Sequence, residues 1–233
     1  MSYGPDVEWA QPFTVIDENQ SFASMIRRVT DEYESKLGHD VELWITEWGY
    51  RLGKHVSEDE RIDEDLAASF LPRLYILSGA NGARVVMWHN LNDMRDGPYG
   101  LIRNDGTKRA TYTAFRTMSE RLGDQRLLEQ IEGADHPTEG VQAYLFKGPL
   151  EHQLVAWAMT DGHRVEIDTG SSAPLKAYDK FGESVAITYQ RDGLPVVELG
   201  RSPVYITGVL GDVRLREVEN SRKKGQEAQE TSE

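Results

Sequence analysis

The spacing of apolar and polar positions changes twice along this chain. Phe22, Met25, Ile26, Val29, Tyr33 and Leu37 fall at i, i+3, i+4, i+7, i+11 and i+15, one stripe along a helix. Asp17, with Gln20 three residues on, reads as a capping box before it, and Gly38 as the residue that ends it. Residues 1–16, with Pro5 and Pro12 around Trp9, read as loop. From Val41 the period drops to two: Val41, Leu43 and Ile45 alternate with Glu42, Trp44 and Thr46, which predicts a strand ending at Glu47-Trp48-Gly49. A second helix is expected with Ser57 as N-cap, Glu60 three residues in, and Ile62, Leu66, Phe70, Leu74 and Leu77 at helical spacing. Pro72 should kink or break it, and Gly79 and Gly82 flank its exit. Arg84-Val85-Val86-Met87-Trp88 is nearly all apolar, as in a parallel strand covered by helices. His89 to Pro98 reads as loop. Tyr99-Gly100-Leu101-Ile102 and an Asp105-Gly106 turn then lead to a third helix, which carries Ala114, Phe115, Met118 and Leu122 before Gly123.

Beyond Val141 the helical period disappears. Short runs of strand type follow: Val141–Phe146, Gln153–Met159, Val165–Thr169, Leu175–Tyr178, Ala186–Gln190, Pro195–Leu199 and Pro203–Ile206. Asp161-Gly162, Phe181-Gly182 and Asp192-Gly193 supply turns between them. This spacing predicts a small antiparallel sandwich. From Arg214 to Glu233 apolar residues almost vanish, so a disordered charged tail is expected.

Composition narrows the possible functions. The 233 residues are 39% hydrophobic and 28% charged, as in a soluble globular protein able to bury a core. Net charge is −13, and residues 1–65 hold 16 acidic against 6 basic side chains. Nucleic acid and anionic membrane surfaces are poor partners for such a chain. With no cysteine, thiolate and disulfide chemistry are excluded. No apolar run reaches the ~18 residues a membrane span needs, and the N-terminus lacks the basic and apolar regions of a signal peptide, so a cytoplasmic location is expected. His39, His55, His136, His152 and His163 show no metal-ligand spacing, and no phosphate-cradling glycine motif is present. Neither a metal nor a cofactor is expected.

The chemistry centres on Glu47, a carboxylate at a strand end between two indoles. Trp44-Ile45-Thr46-Glu47-Trp48-Gly49 resembles the nucleophile strand of retaining glycoside hydrolases of clan A. Trp88 at the end of the next strand resembles the clan's aromatic beneath the bound sugar. Tyr99-Gly100-Leu101-Ile102 with Asp105-Gly106-Thr107-Lys108-Arg109-Ala110-Thr111-Tyr112-Thr113-Ala114-Phe115 resembles the clan's G-L-…-D-G-…-K-P-A-Y-…-A-F lead-in to the last helix, with Arg109 where Pro is usual. Pro203-Val204-Tyr205-Ile206 is similar to the closing strand of the appended sandwich. The helical spacing of Tyr112 and Phe115 reads as core packing.

The resemblance spans about residues 1–215. It implies a fold that is α/β plus all-β: a partial (β/α)8 barrel of about the last two to three β/α units, followed by an antiparallel β-sandwich. The corresponding boundaries are 1–130, 137–213 and a tail at 214–233. It also implies retaining O-glycosyl hydrolysis, with Glu47 as nucleophile attacking the anomeric carbon. Trp88, Trp48, His89 and Asp93 would contact the carbohydrate substrate, with Asp96 in the same loop, and Tyr3 would donate a hydrogen bond to Glu47. Such a reaction needs a second carboxyl group as acid and base, ~5–5.5 Å from the first. The clan carries it after an Asn, yet this chain has no Asn-Glu pair and only 46 residues before Glu47. The expectation is therefore the C-terminal part of a glycosidase, inactive alone and completed by a missing N-terminal half or a complementing chain. The rival expectation is a carbohydrate-binding or interaction protein that has lost the acid. A third is a fragment that does not fold by itself.

Overall fold

The structure, a computed structural model, describes residues 22–54, 61–93, 97–131 and 140–218. Two compact units emerge. The first runs to Leu127 and takes in Lys180–Gly182, and the second holds the rest of the chain from Leu128.

The first unit alternates helices and strands: α1 (Phe22–Leu37), β1 (Leu43–Trp48), α2 (Glu64–Ala80), β2 (Ala83–Trp88) and α3 (Ala110–Leu122). In α1 the expected stripe is only partly covered: Ile26 is buried, whereas Tyr33 and Leu37 are exposed. Gly38 ends the helix in the left-handed region at φ 73°, as its lack of a Cβ permits. Asp17 and Gln20 lie outside the described residues.

The second helix starts later than its sequence spacing suggested. Asp63 is the N-cap, with its side chain accepting a 2.8 Å hydrogen bond from the Leu66 N–H. Glu64 and Asp65 fill the first turn, where the helix dipole favours negative charge. Ser57 and Glu60 lie outside the described residues, and Ile62 is buried in the preceding loop rather than in the helix. Pro72 neither ends nor divides α2, which continues to Ala80 with Gly79 inside its last turn. Proline removes a single N–H donor. Burial of Phe70, Leu71, Leu74 and Leu77 outweighs that loss, each contributing roughly 1.5–3 kcal/mol.

With α2 as crossover, β1 and β2 pair in parallel as a two-stranded sheet. Leu43 partners Ala83, Ile45 partners Val86 and Trp48 partners Trp88. No residue of either strand is fully buried. Helix α3 packs on α2, with Ala114 and Met118 buried and Phe115 edge-on to Tyr75 at 5.6 Å between ring centres. Among the described residues there is no closed barrel.

The second unit is built of antiparallel strands: β3 (Arg126–Gln130, beginning at the boundary), β4 (Val141–Lys147), β5 (His152–Ala158), β6 (His163–Asp168), β7 (Lys176–Tyr178), β8 (Ser184–Val185), β9 (Ile187–Tyr189), β10 (Pro195–Leu199), β11 (Val204–Val209) and β12 (Arg214–Glu217). Six form one sheet in the order β3-β4-β5-β11-β7-β8, and four form another in the order β12-β6-β10-β9. A single apolar cluster draws on both sheets: Leu145, Leu154 and Ile206 from one, Val165, Val197 and Leu215 from the other.

Three strands here were not anticipated. Arg126–Gln130 belongs to the six-stranded sheet although the barrel portion was expected to reach residue 130. Ser184–Val185 is a two-residue edge. Arg214–Glu217 is a strand rather than the start of a tail. Its single apolar residue, Leu215, is buried opposite Ile167, and that one inward side chain within a polar run fixes the register. Residues 219–233 lie outside the described ones. No helix among the described residues is long and apolar enough to cross a membrane.

Candidate functional site

A parallel pair brings the C-terminal ends of its strands to one edge. Here that edge holds Glu47, Trp48, Trp88 and His89. The ladder runs one step past the strands, because the His89 N–H donates to the Trp48 carbonyl at 2.7 Å. Gly49 is the residue that permits this approach: a Cβ there would overlap the His89 carbonyl oxygen. Glu47 is exposed at this edge and Trp88 is half-buried. The following peptide, His89–Asn90, is cis.

Behind the edge lies an aromatic floor that the sequence pattern left unremarked. Tyr50, only 1% exposed, packs against Phe70 of α2 at 5.1 Å and against Trp88 at 6.1 Å between ring centres. Tyr99 is a second contributor, marked in the sequence only as part of the lead-in to the last helix. Its carbonyl accepts the Trp88 indole N–H at 3.1 Å, and its ring meets His89 edge-on at 5.3 Å.

Asp93 was a candidate for touching substrate, and both of its carboxylate oxygens are engaged by the protein. Oδ1 accepts from the Gly100 N–H at 2.9 Å and Oδ2 accepts from Arg109 Nη2 at 2.5 Å. Arg109 also donates through Nη1 to Glu64 at 2.5 Å, and Arg103 donates to the same Glu64 oxygen. Burial pushes the Glu64 carboxyl up. The bonds from Arg109, the Ala110 N–H and Arg103, with the charge of Arg103, more than reverse this and leave it below its ordinary value. Arg109 is likewise lowered by burial and raised more strongly by Asp93 and Glu64. The result is a two-arginine, two-carboxylate knot joining the start of α2, the start of α3 and the loop after β2. Tyr3, Asp96, His55 and His136 lie outside the described residues.

Comparison with solved structures identifies the fold as one found among glycoside hydrolases. The chain aligns with a family 39 glycoside hydrolase from the gut symbiont Bacteroides cellulosilyticus WH2 at TM-score 0.65 and 18% identity, over 88% of this chain and 42% of that one. A family 30 endoxylanase from Clostridium papyrosolvens C71 gives TM-score 0.51 and 14% identity, covering 79% of this chain and 46% of that one. A family 30 subfamily 8 xylanase from Clostridium acetobutylicum gives 0.53 and 11%, covering 76% and 44%. The chain thus spans less than half the length of each of these proteins, and at such identities the likeness is one of fold. No family model and no curated protein sequence matches the chain.

Proposed function

We propose that this chain is the C-terminal part of a clan A retaining glycoside hydrolase. In this reading the first unit is a partial (β/α)8 barrel carrying the nucleophile, and the second is a β-sandwich accessory domain. The observation that supports it best is the shared edge of β1 and β2, where Glu47 and Trp88 end adjacent parallel strands. That is where parallel α/β barrels carry their chemistry.

Each residue has a stated task. The Glu47 carboxylate attacks the anomeric carbon, and the glycosidic bond breaks as an acid elsewhere protonates the departing oxygen. Water then opens the glycosyl-enzyme ester with the same acid, now deprotonated, acting as base. Trp88 offers a face to the sugar ring, set on Tyr50 and held in rotation by its bond to Tyr99. Trp48 and His89 border that surface. Asp93 holds the loop instead of reaching substrate. The acid comes from barrel strands supplied outside this sequence, so the chain alone should not turn over glycosides. Two exposed features fit a missing neighbour: β1 and β2 each pair only with one another among the described residues, and Trp44 and Met87 are exposed. A parallel sheet ordinarily has both faces covered.

The test is Glu47→Gln in the assembled enzyme. Loss of hydrolysis with unchanged oligosaccharide binding is the expected result, and undiminished turnover would overturn the assignment. The absent Asn-Glu pair also favours a second reading, a carbohydrate-binding protein without catalysis. It predicts saccharide-dependent tryptophan quenching by the isolated chain, and a flat titration across xylo-, gluco- and manno-oligosaccharides would reject it.

A further inference from the structure

We infer that Arg109 is a positioning residue for Trp88, acting through Asp93 and the Tyr99–Gly100 backbone. This deepens the sugar-site reading above and rests on it for its functional consequence.

Arg109 sits at the N-cap of α3 with extended backbone (φ −87°, ψ 167°), and its side chain makes no capping bond. Arginine is not a favoured residue at this position. Capping is instead provided from α2, where Glu64 Oε2 accepts the Ala110 N–H at 3.4 Å. The needs of the helix therefore do not account for Arg109, and its bonds point toward the loop. Its N–H donates to the Leu101 carbonyl at 2.9 Å, and its guanidinium, 9% exposed, reaches Asp93. A proline here, as in the pattern this segment resembles, would supply neither bond.

From Asp93 the connection runs in short steps. Asp93 Oδ1 takes the Gly100 N–H, and the carbonyl of the preceding residue, Tyr99, takes the Trp88 indole N–H. Slack is absent along this path. The loop folds back on itself through Leu101 N–H to Asn90 O at 3.1 Å, Ile102 N–H to Leu91 O at 2.9 Å and Asp93 N–H to Ile102 O at 3.1 Å. A Cβ at Gly100 would collide with the backbone of Asn92, Asp93 and Ile102. A guanidinium fork is well suited to this task because it engages two carboxylates in fixed geometry, which an ammonium point charge does not.

The experiment uses the full chain labelled with 5-fluorotryptophan, its Trp88 resonance assigned by Trp88→Phe. Arg109→Met should shift or broaden the Trp88 fluorine signal and leave that of Trp157, fully buried on β5, in place. Arg109→Lys should restore the signal only in part. If Arg109→Met fails to fold, Asp93→Asn carries the same test, since it keeps an oxygen for Gly100 while weakening the tie to Arg109. An unmoved Trp88 signal in a folded variant would overturn the inference. Titration with xylo-, gluco- and manno-oligosaccharides separates the two readings. Where one binds, Arg109→Met should weaken it about tenfold, and the loss should vanish in a Trp88→Phe background. A moved Trp88 signal with no saccharide binding in any variant would sustain the positioning role and count against the sugar site.

Discussion

The two units solve the same problem, covering a sheet, in different ways. In the second, two antiparallel sheets share one apolar cluster, and the central strand β5 is buried from Gln153 to Ala158. In the first, the most buried element is a helix: α2 has Phe70, Leu71 and Leu74 at 0% exposure, while β1 and β2 contain no fully buried residue. The difference teaches where each unit's stability resides. The second unit closes its own core, whereas the first is held by α2, its packing on α3, and the ionic knot at their N-termini. Its sheet contributes an edge more than a core.

The largest effect should come from the central strand β5. Trp157 is fully buried and stacks on Tyr144 at 5.4 Å, so Trp157→Ala should cost about 4 kcal/mol. Urea unfolding followed by amide exchange should show protection lost in β4, β5 and β11 and retained in α2. Equal loss in α2 would break the comparison by making the two units one cooperative body.

Next is the knot. Arg109→Met leaves Asp93 and Glu64 without their shared partner, and about 2–3 kcal/mol of the first unit's stability should go, discounted for the 30% exposure of Glu64. Here the α2 amides should lose protection and those of β5 should not.

Acid should reveal the same knot more gently. The folded Glu64 lies below its ordinary value of 4.5, so its contribution is complete above that value and is lost as pH falls through it toward the depressed one. Arg109, raised, gives its contribution up only in the strongly alkaline range. Stability of the first unit should therefore decline below about pH 4.5, and Glu64→Gln should flatten that decline. An unchanged acid slope in the variant would remove Glu64 from the account.

The smallest effect on folding belongs to the residue with the largest proposed chemical role. Glu47 is exposed, so Glu47→Gln should change stability by less than about 0.5 kcal/mol, measured by thermal unfolding. A larger loss would mean that the carboxylate serves the fold.

Period and turn chemistry alone determined much of this protein. The stripe before Gly38, the alternation ending at Glu47, the apolar run ending at Trp88 and the glycine-punctuated strands after Val141 are local patterns, and local patterns state which faces must be covered. They also placed Glu47 and Trp88 at strand ends. Tertiary structure decided the rest, because the deciding partners are far apart in the chain. Asp63 caps α2 while Ile62 turns into a loop, and Pro72 survives inside α2 because the burial around it outweighs one missing donor. Arg214–Glu217 becomes a strand because Ile167 offers Leu215 a place in a core. Asp93 reads in sequence as a polar loop residue free to meet a ligand. Only the fold brings Arg109, sixteen positions on, against its carboxylate.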